Sequence, residues 1–150
     1  GENIFKGYWG MEEKTKESFK DDGYFITGDL AKKDENGYFT IVGRDKDMII
    51  SGGLNVYPKE IEDVINELPN ITESAVFGVQ HDDFGEAVVA AVVTTDDKND
   101  GSQILDYTKD KIAKYKQPKK IIFMSNLPRN SMGKVQKNKL RENNKSLFKS

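Results

Sequence analysis

Three segments of this chain carry side chains suited to chemistry on an anion. The first, Pro128-Arg129-Asn130-Ser131-Met132-Gly133-Lys134-Val135, sets a lysine on a glycine-containing loop between an apolar strand and a basic helix. A lysine mounted this way is a compact point charge on a flexible stem, able to be carried to a carboxylate or phosphate and withdrawn. The second runs from Gly43-Arg44-Asp45-Lys46 through Ile50-Ser51-Gly52-Gly53-Leu54 to Asn55-Val56-Tyr57-Pro58-Lys59-Glu60-Ile61-Glu62. The third is Thr27-Gly28-Asp29, whose carboxylate offers a pair of acceptors to neighbouring hydroxyl groups. Each segment alone is ordinary for a solvated turn. Their presence together is the stronger signal.

The charges divide in a way that favours a polyanionic partner. Residues 101–150 hold 13 Lys+Arg against 3 Asp+Glu, while residues 1–100 hold 10 against 22, although the whole chain is only −2. Aromatic side chains are not interleaved with the basic ones as stacking platforms, so nucleotide phosphates fit better than nucleic acid. With no cysteine and a single histidine, His81, the chain offers no disulfide framework, thiolate nucleophile or histidine metal cluster. A reducing, cytoplasmic setting is the expectation. Mean hydropathy is −0.69, and no apolar run reaches the roughly 18 residues of a membrane span.

The elements that must position these residues fall into two parts. Residues 1–45 read as short strands and turns, Tyr24–Thr27 and Tyr38–Val42, with Asp34-Glu35-Asn36-Gly37 as a hairpin turn. They hold too few apolar residues to form a domain, so they are expected to be the end of a larger N-terminal domain. Residues 46–150 read as a compact α+β unit. Pro58 opens a helix with Ile61, Val64, Ile65 and Leu68 on one face, and Pro69-Asn70 ends it. Ala75–Val79 and Ala87–Thr95 are strands, the second apolar on both faces and therefore central. Gln80–Glu86 reads as a polar loop and Asp96–Gly101 as a turn. Ser102 is expected to cap a helix carrying Ile104, Leu105, Thr108 and Ile112, which Pro118 stops. Lys120–Met124 is a third strand, and a basic helix runs from Lys137 to about Leu147. The expected architecture is α+β, with a central antiparallel or mixed three-stranded sheet flanked by helices.

The three segments, in this order and spacing, resemble the C-terminal part of the adenylate-forming enzymes: acyl-CoA synthetases, peptide-synthetase adenylation domains and luciferases. The run from Phe5-Lys6-Gly7-Tyr8-Trp9 to Met132-Gly133-Lys134-Val135-Gln136-Lys137-Asn138 most resembles bacterial malonyl-CoA synthetases. The resemblance implies an ATP-dependent acid–CoA ligase in which a small domain rotates between two half-reactions. It implies that Lys134 serves adenylation, that Asp29 and Arg44 hold ribose, and that Lys46 is the hinge. Gly53 would line the pantetheine path, Phe84 would stack on the adenine of CoA, and Lys116 and Lys119 would meet its phosphates. Gln117 departs from relatives that have arginine there.

The expected substrates are a small acid, malonate first, with ATP and CoA. Mg²⁺ is expected for the ATP chemistry, but no residue here is assigned as its ligand. The expected protein partner is the missing N-terminal domain. A reachable Lys134 could also be a target of an acetyltransferase and deacetylase, since acetylation deletes its charge. Rival readings are an adenylation domain loading a carrier protein, a ligase for another short acid, and a noncatalytic nucleotide-binding module.

Overall fold

The computed structural model describes residues 2–96 and 100–149. The first part holds helix α1 (Glu12–Glu17) and the antiparallel pair β1 (Asp29–Lys33) and β2 (Phe39–Arg44). Its small apolar cluster is aromatic, with the Phe5 ring 5.0 Å from Tyr8 and 5.3 Å from Phe25. Tyr24–Thr27 is not a strand; only Phe25 makes an isolated bridge, to Phe19, and the strand lies two residues further on. The Asp34–Gly37 turn forms as expected: the Asp34 and Tyr38 backbones bond at 2.9 Å, and the Asp34 carboxylate accepts from the Tyr38 N–H at 2.8 Å.

The second part is built on a five-stranded sheet. Strands β5 (Ile71–His81) and β6 (Gly85–Thr94) form a long antiparallel hairpin. On the other edge of β6, β7 (Lys120–Phe123) runs parallel to its second half, and β3 (Ile49–Ser51) bridges its start at Ser51 opposite Gly85. β4 (Leu54–Val56) pairs with β3. The three expected strands are therefore present, and the short β3–β4 hairpin, expected as a loop, extends them. The expected Gln80–Glu86 loop shrinks to residues 82–84 because both strands continue to the turn. Part of the turn expected over residues 96–101 lies outside the described residues.

Strand β6 is buried on both faces, and its alternation creates two cores. Val88, Ala90 and Val92 pack with Ile61 and Ile65 of α2 (Pro58–Ile65) and Ile104 of α3 (Ser102–Lys109). Val89 and Ala91 pack with Phe77, Leu127 and Leu140, the last on α4 (Lys137–Asn143). Ser102 lies inside α3 rather than capping it. The Asp100 carboxylate accepts from its N–H at 2.9 Å and its hydroxyl at 2.6 Å, while Gly101 turns the chain at φ +87°. α4 ends at Asn143, short of Leu147; the Asn144 side-chain amide donates to the Leu140 carbonyl there.

A glycine is required where β3 meets the main hairpin. A Cβ on Gly78 would lie 2.5 Å from Glu86 Oε1 and 3.0 Å from Ile49 Cγ2. The space it leaves lets the Glu86 carboxylate accept from the Ile50 N–H at 2.8 Å, tying the β3–β4 hairpin to the sheet.

Glu62 of α2 performs two tasks at once. Its Oε1 accepts from the Val76 N–H of β5 at 2.8 Å and from Lys137 Nζ of α4 at 2.6 Å, with both charged side chains largely shielded. Removing it leaves a shielded ammonium and a strand donor without partners. Glu62→Ala is therefore expected to lower the unfolding free energy by about 2 kcal/mol in chemical denaturation. Glu62→Gln, which retains an acceptor, should recover part of that loss.

Candidate functional site

The register of the first hairpin brings Thr27-Gly28-Asp29 to Gly43-Arg44. Asp29 opens β1, Arg44 closes β2, and the two are cross-strand partners. Arg44 Nε lies 2.8 Å from Asp29 Oδ1, and its Nη1 donates to the Thr27 carbonyl at 2.7 Å. Gly28 makes the bend at φ +70°. The second Asp29 carboxylate oxygen accepts no hydrogen bond among the described residues, so it can take one from a ligand hydroxyl.

The Lys134 loop is built by Asn130. The Asn130 and Lys134 backbones bond at 2.9 Å, and the Asn130 carbonyl accepts from the Gly133 N–H at 2.9 Å. The Asn130 side-chain oxygen accepts from the Met132 and Lys134 N–H groups, both at 3.0 Å. Arg129 braces the loop, donating to the Gly133 carbonyl at 2.7 Å while pairing with Glu73 of β5. The backbone is thus fixed and the Lys134 side chain exposed.

Lys134 lines a cleft of about 630 Å³ with Arg44, Lys46, Asp47, Lys137 and Arg141. Arg44 is paired with Asp29, Lys137 with Glu62, and Arg141 with Asp47 at 3.1 Å. Among the described residues, the Lys134 and Lys46 ammonium groups have no hydrogen-bond or ion-pair partner. Cations outnumber carboxylates in the cleft, a field suited to a polyphosphate. Sequence reasoning singled out Arg44, Lys46 and Lys134 but missed Lys137, Arg141, Asp47 and Glu62. The only signal for two of them was the spacing of Lys137 and Arg141, which puts both on one face of a helix.

A second group forms at the turns of the β3–β4 and β5–β6 hairpins. Gly52 and Gly53 make the first turn with φ +59° and +77°, and the Gly52 N–H donates to the Phe84 carbonyl at 2.9 Å. The Phe84 ring lies 4.8 Å from the His81 ring and 5.1 Å from Lys119 Nζ. Gly53, next to Gly52, thus lies in the same turn cluster as Phe84 and Lys119.

Lys116 is placed differently. Its ammonium contacts both Glu60 oxygens at 2.7 Å, and it lines a groove of about 690 Å³ with Tyr57 of α2's entry and Ile41 of β2. The hydrogen bond to Glu60 outweighs desolvation and holds the Lys116 pKa above the usual lysine range. A ligand phosphate would share this ammonium with Glu60 or compete with it.

The family and its relatives agree with this architecture. The AMP-binding enzyme C-terminal domain family matches residues 60–134, half of the chain, and the chain belongs to that family. ATP-bound MatB from Rhodopseudomonas palustris is 57% identical over 99% of this chain and 30% of that one, with a TM-score of 0.89. Apo MatB, 58% identical over the same share, aligns with a TM-score of 0.72. The long-chain-fatty-acid–CoA ligase FadD13 of Mycobacterium tuberculosis is 46% identical over 93% of this chain and 27% of its own length. The indoleacetate–CoA ligase of Aromatoleum aromaticum is 42% identical over 95% of this chain and 28% of its own length. The chain thus spans less than a third of these relatives.

Two outcomes test the geometry. No atom comes within 4 Å of a Cβ built on Gly53, so its glycine answers to backbone φ alone within this chain. Gly53→Ala should cost about 1 kcal/mol in thermal denaturation, the penalty of a left-handed L-residue. The Lys116–Glu60 pair has a pH signature. Because the folded pKa of Lys116 is raised, its contribution is complete at neutral pH and is lost as pH rises through that raised value. The thermal-midpoint deficit of Lys116→Met should therefore be constant up to about pH 10 and shrink above it.

Proposed function

We propose that this chain is the mobile C-terminal portion of an AMP-forming acid–CoA ligase, in which Lys134 provides the adenylation cation. The observation that carries this reading is the Lys134 ammonium, without a partner among the described residues, sharing a cleft with Arg44, itself held by Asp29. In the first half-reaction a carboxylate attacks the α-phosphorus of ATP, giving an acyl-adenylate and pyrophosphate. In the second a thiol displaces AMP. Two anions must meet in the first step. At about 4 Å and an effective dielectric near 20, one cation at their junction contributes on the order of 4 kcal/mol before screening, a rate factor of hundreds or more.

Asp29 and Arg44 would orient the ribose, and Lys134 would bridge the acid and the α-phosphate. After rotation about Lys46, the Gly53, Phe84 and Lys119 face would receive CoA. Mg²⁺ neutralises ATP phosphates in such chemistry; no cluster of His, Cys, Asp or Glu able to hold a metal exists among the described residues. The better alignment with ATP-bound than with apo MatB, at nearly equal identity, supports an adenylation-like arrangement here.

Exposed apolar groups in residues 1–45, including Trp9, Tyr24, Tyr38, Phe39 and Ile41, support a larger body covering that part. The preferred acid is malonate, on the motif likeness of the sequence. Identity to MatB also exceeds that to the fatty-acid ligase FadD13. A cytoplasmic setting belongs to the same proposal; no described helix is long and apolar enough to cross a membrane. The exposed Lys134 would lose its function on acetylation.

Mass spectrometry of thioesters formed by the intact enzyme, given ATP, Mg²⁺, CoA and a panel of acids, tests the reading. Malonyl-CoA is the expected dominant product. Another acyl-CoA would replace only the acid, adenylate without thioester would point to a carrier-protein acceptor, and no turnover would favour a binding module. Lys134→Ala should lose adenylation by a factor of at least hundreds yet convert preformed acyl-adenylate at close to the wild-type rate.

A further inference from the structure

The chain is anchored on both sides of Lys46 by different bodies. On the N-terminal side, the Asp45 N–H donates to the Gly28 carbonyl at 3.0 Å and Arg44 is pinned to Asp29 and Thr27, all within the β1–β2 hairpin. On the C-terminal side, Asp47 Oδ1 accepts from Arg141 Nη2 at 3.1 Å, and the same nitrogen lies 3.4 Å from the Lys46 carbonyl. Arg141 stands on α4, next to Leu140, which is fully buried against the sheet, and Ile49 enters the other core directly after. Between these anchors the Lys46 ammonium has no side-chain partner among the described residues. One backbone bond spans it, from the Met48 N–H to the Asp45 carbonyl at 3.1 Å.

We infer that Arg141 is a positioning residue that confines the pivot to Lys46 by fixing Asp47 to α4. A single residue supplies two soft dihedrals, so a rotation confined there has few outcomes, whereas one spread over residues 46–48 has many. The same helix begins three residues after Lys134, whose loop is rigid. Arg141 therefore sets the pivot against the arm that carries the adenylation lysine. This inference rests on the reading that the chain rotates between half-reactions.

The test is Arg141→Gln, Asp47→Asn and their combination in the intact enzyme, followed by pyrophosphate exchange. Each single change should lower kcat for adenylation roughly tenfold, in keeping with the sensitivity of such steps to small misplacements, with KM for ATP unchanged. The double variant should be no worse than either single, because both remove one interaction. Arg141→Lys should recover part of the loss. Wild-type rates in both singles, additive losses in the double, or a raised KM with no kcat effect would overturn the inference.

If the unaltered enzyme forms no adenylate, the functional reading fails, and the clamp is judged by backbone mobility in the intact protein. There ¹⁵N relaxation should show greater motion at Lys46, Asp47 and Met48 in Arg141→Gln. Unchanged motion would contradict it.

Discussion

Strand β6 has to be covered on both faces, and most of the molecule follows from that requirement. Its alternate residues Val88, Ala90 and Val92 face α2 and α3, and Val89 and Ala91 face α4 and Leu127. At roughly 25 cal/mol per Å² of apolar area, burial of such a strand drives both packings at once. The position of the Lys134 loop is a consequence. It lies between β7 and α4, and Arg129 ties it to Glu73 of β5. No residue of the loop needs an apolar anchor deeper than Val135.

Charge then organises the seam between the two parts. The carboxylates of Asp29, Glu62 and Asp47 each hold one cation of the cleft, Arg44, Lys137 and Arg141 in turn. These pairs fix side chains by mutual attraction while leaving Lys134 without a partner among the described residues. An unpaired ammonium at the rim keeps its full charge for a ligand. A lysine already paired has part of its charge offset, as Lys116 has by Glu60.

The sequence made the long, periodic elements readable. The α2 stripe through Ile65, the β5 and β6 apolar runs and the third strand lie where patterning places them, although α2 ends before Leu68 and nothing in the pattern shows that the third strand runs parallel. Short elements were not readable. β3 and β4 are three residues each, too short for alternation to register, and Gly52-Gly53 alone reads equally as loop or turn. β1, Asp-Leu-Ala-Lys-Lys, has almost no strand signature and exists because β2 pairs with it. Within the candidate site, Asp29, Arg44 and Lys134 were legible from local motifs. Glu62 with Lys137 and Asp47 with Arg141 join residues far apart in the chain, so only the folded register brings them together.

The central claim is that Lys134 is carried to the nucleotide and then withdrawn by rotation about one clamped residue. This chain has no cysteine, so spin labels can be placed singly at Lys33→Cys and Ser131→Cys, both exposed positions, in an intact enzyme cleared of other reactive thiols. Double electron–electron resonance between them measures the separation of the hairpin and the lysine loop. With ATP bound, the distance should match the present structure; with acyl-adenylate and CoA bound, a second, discrete distance should replace it. One unchanged distribution in both states would contradict the account.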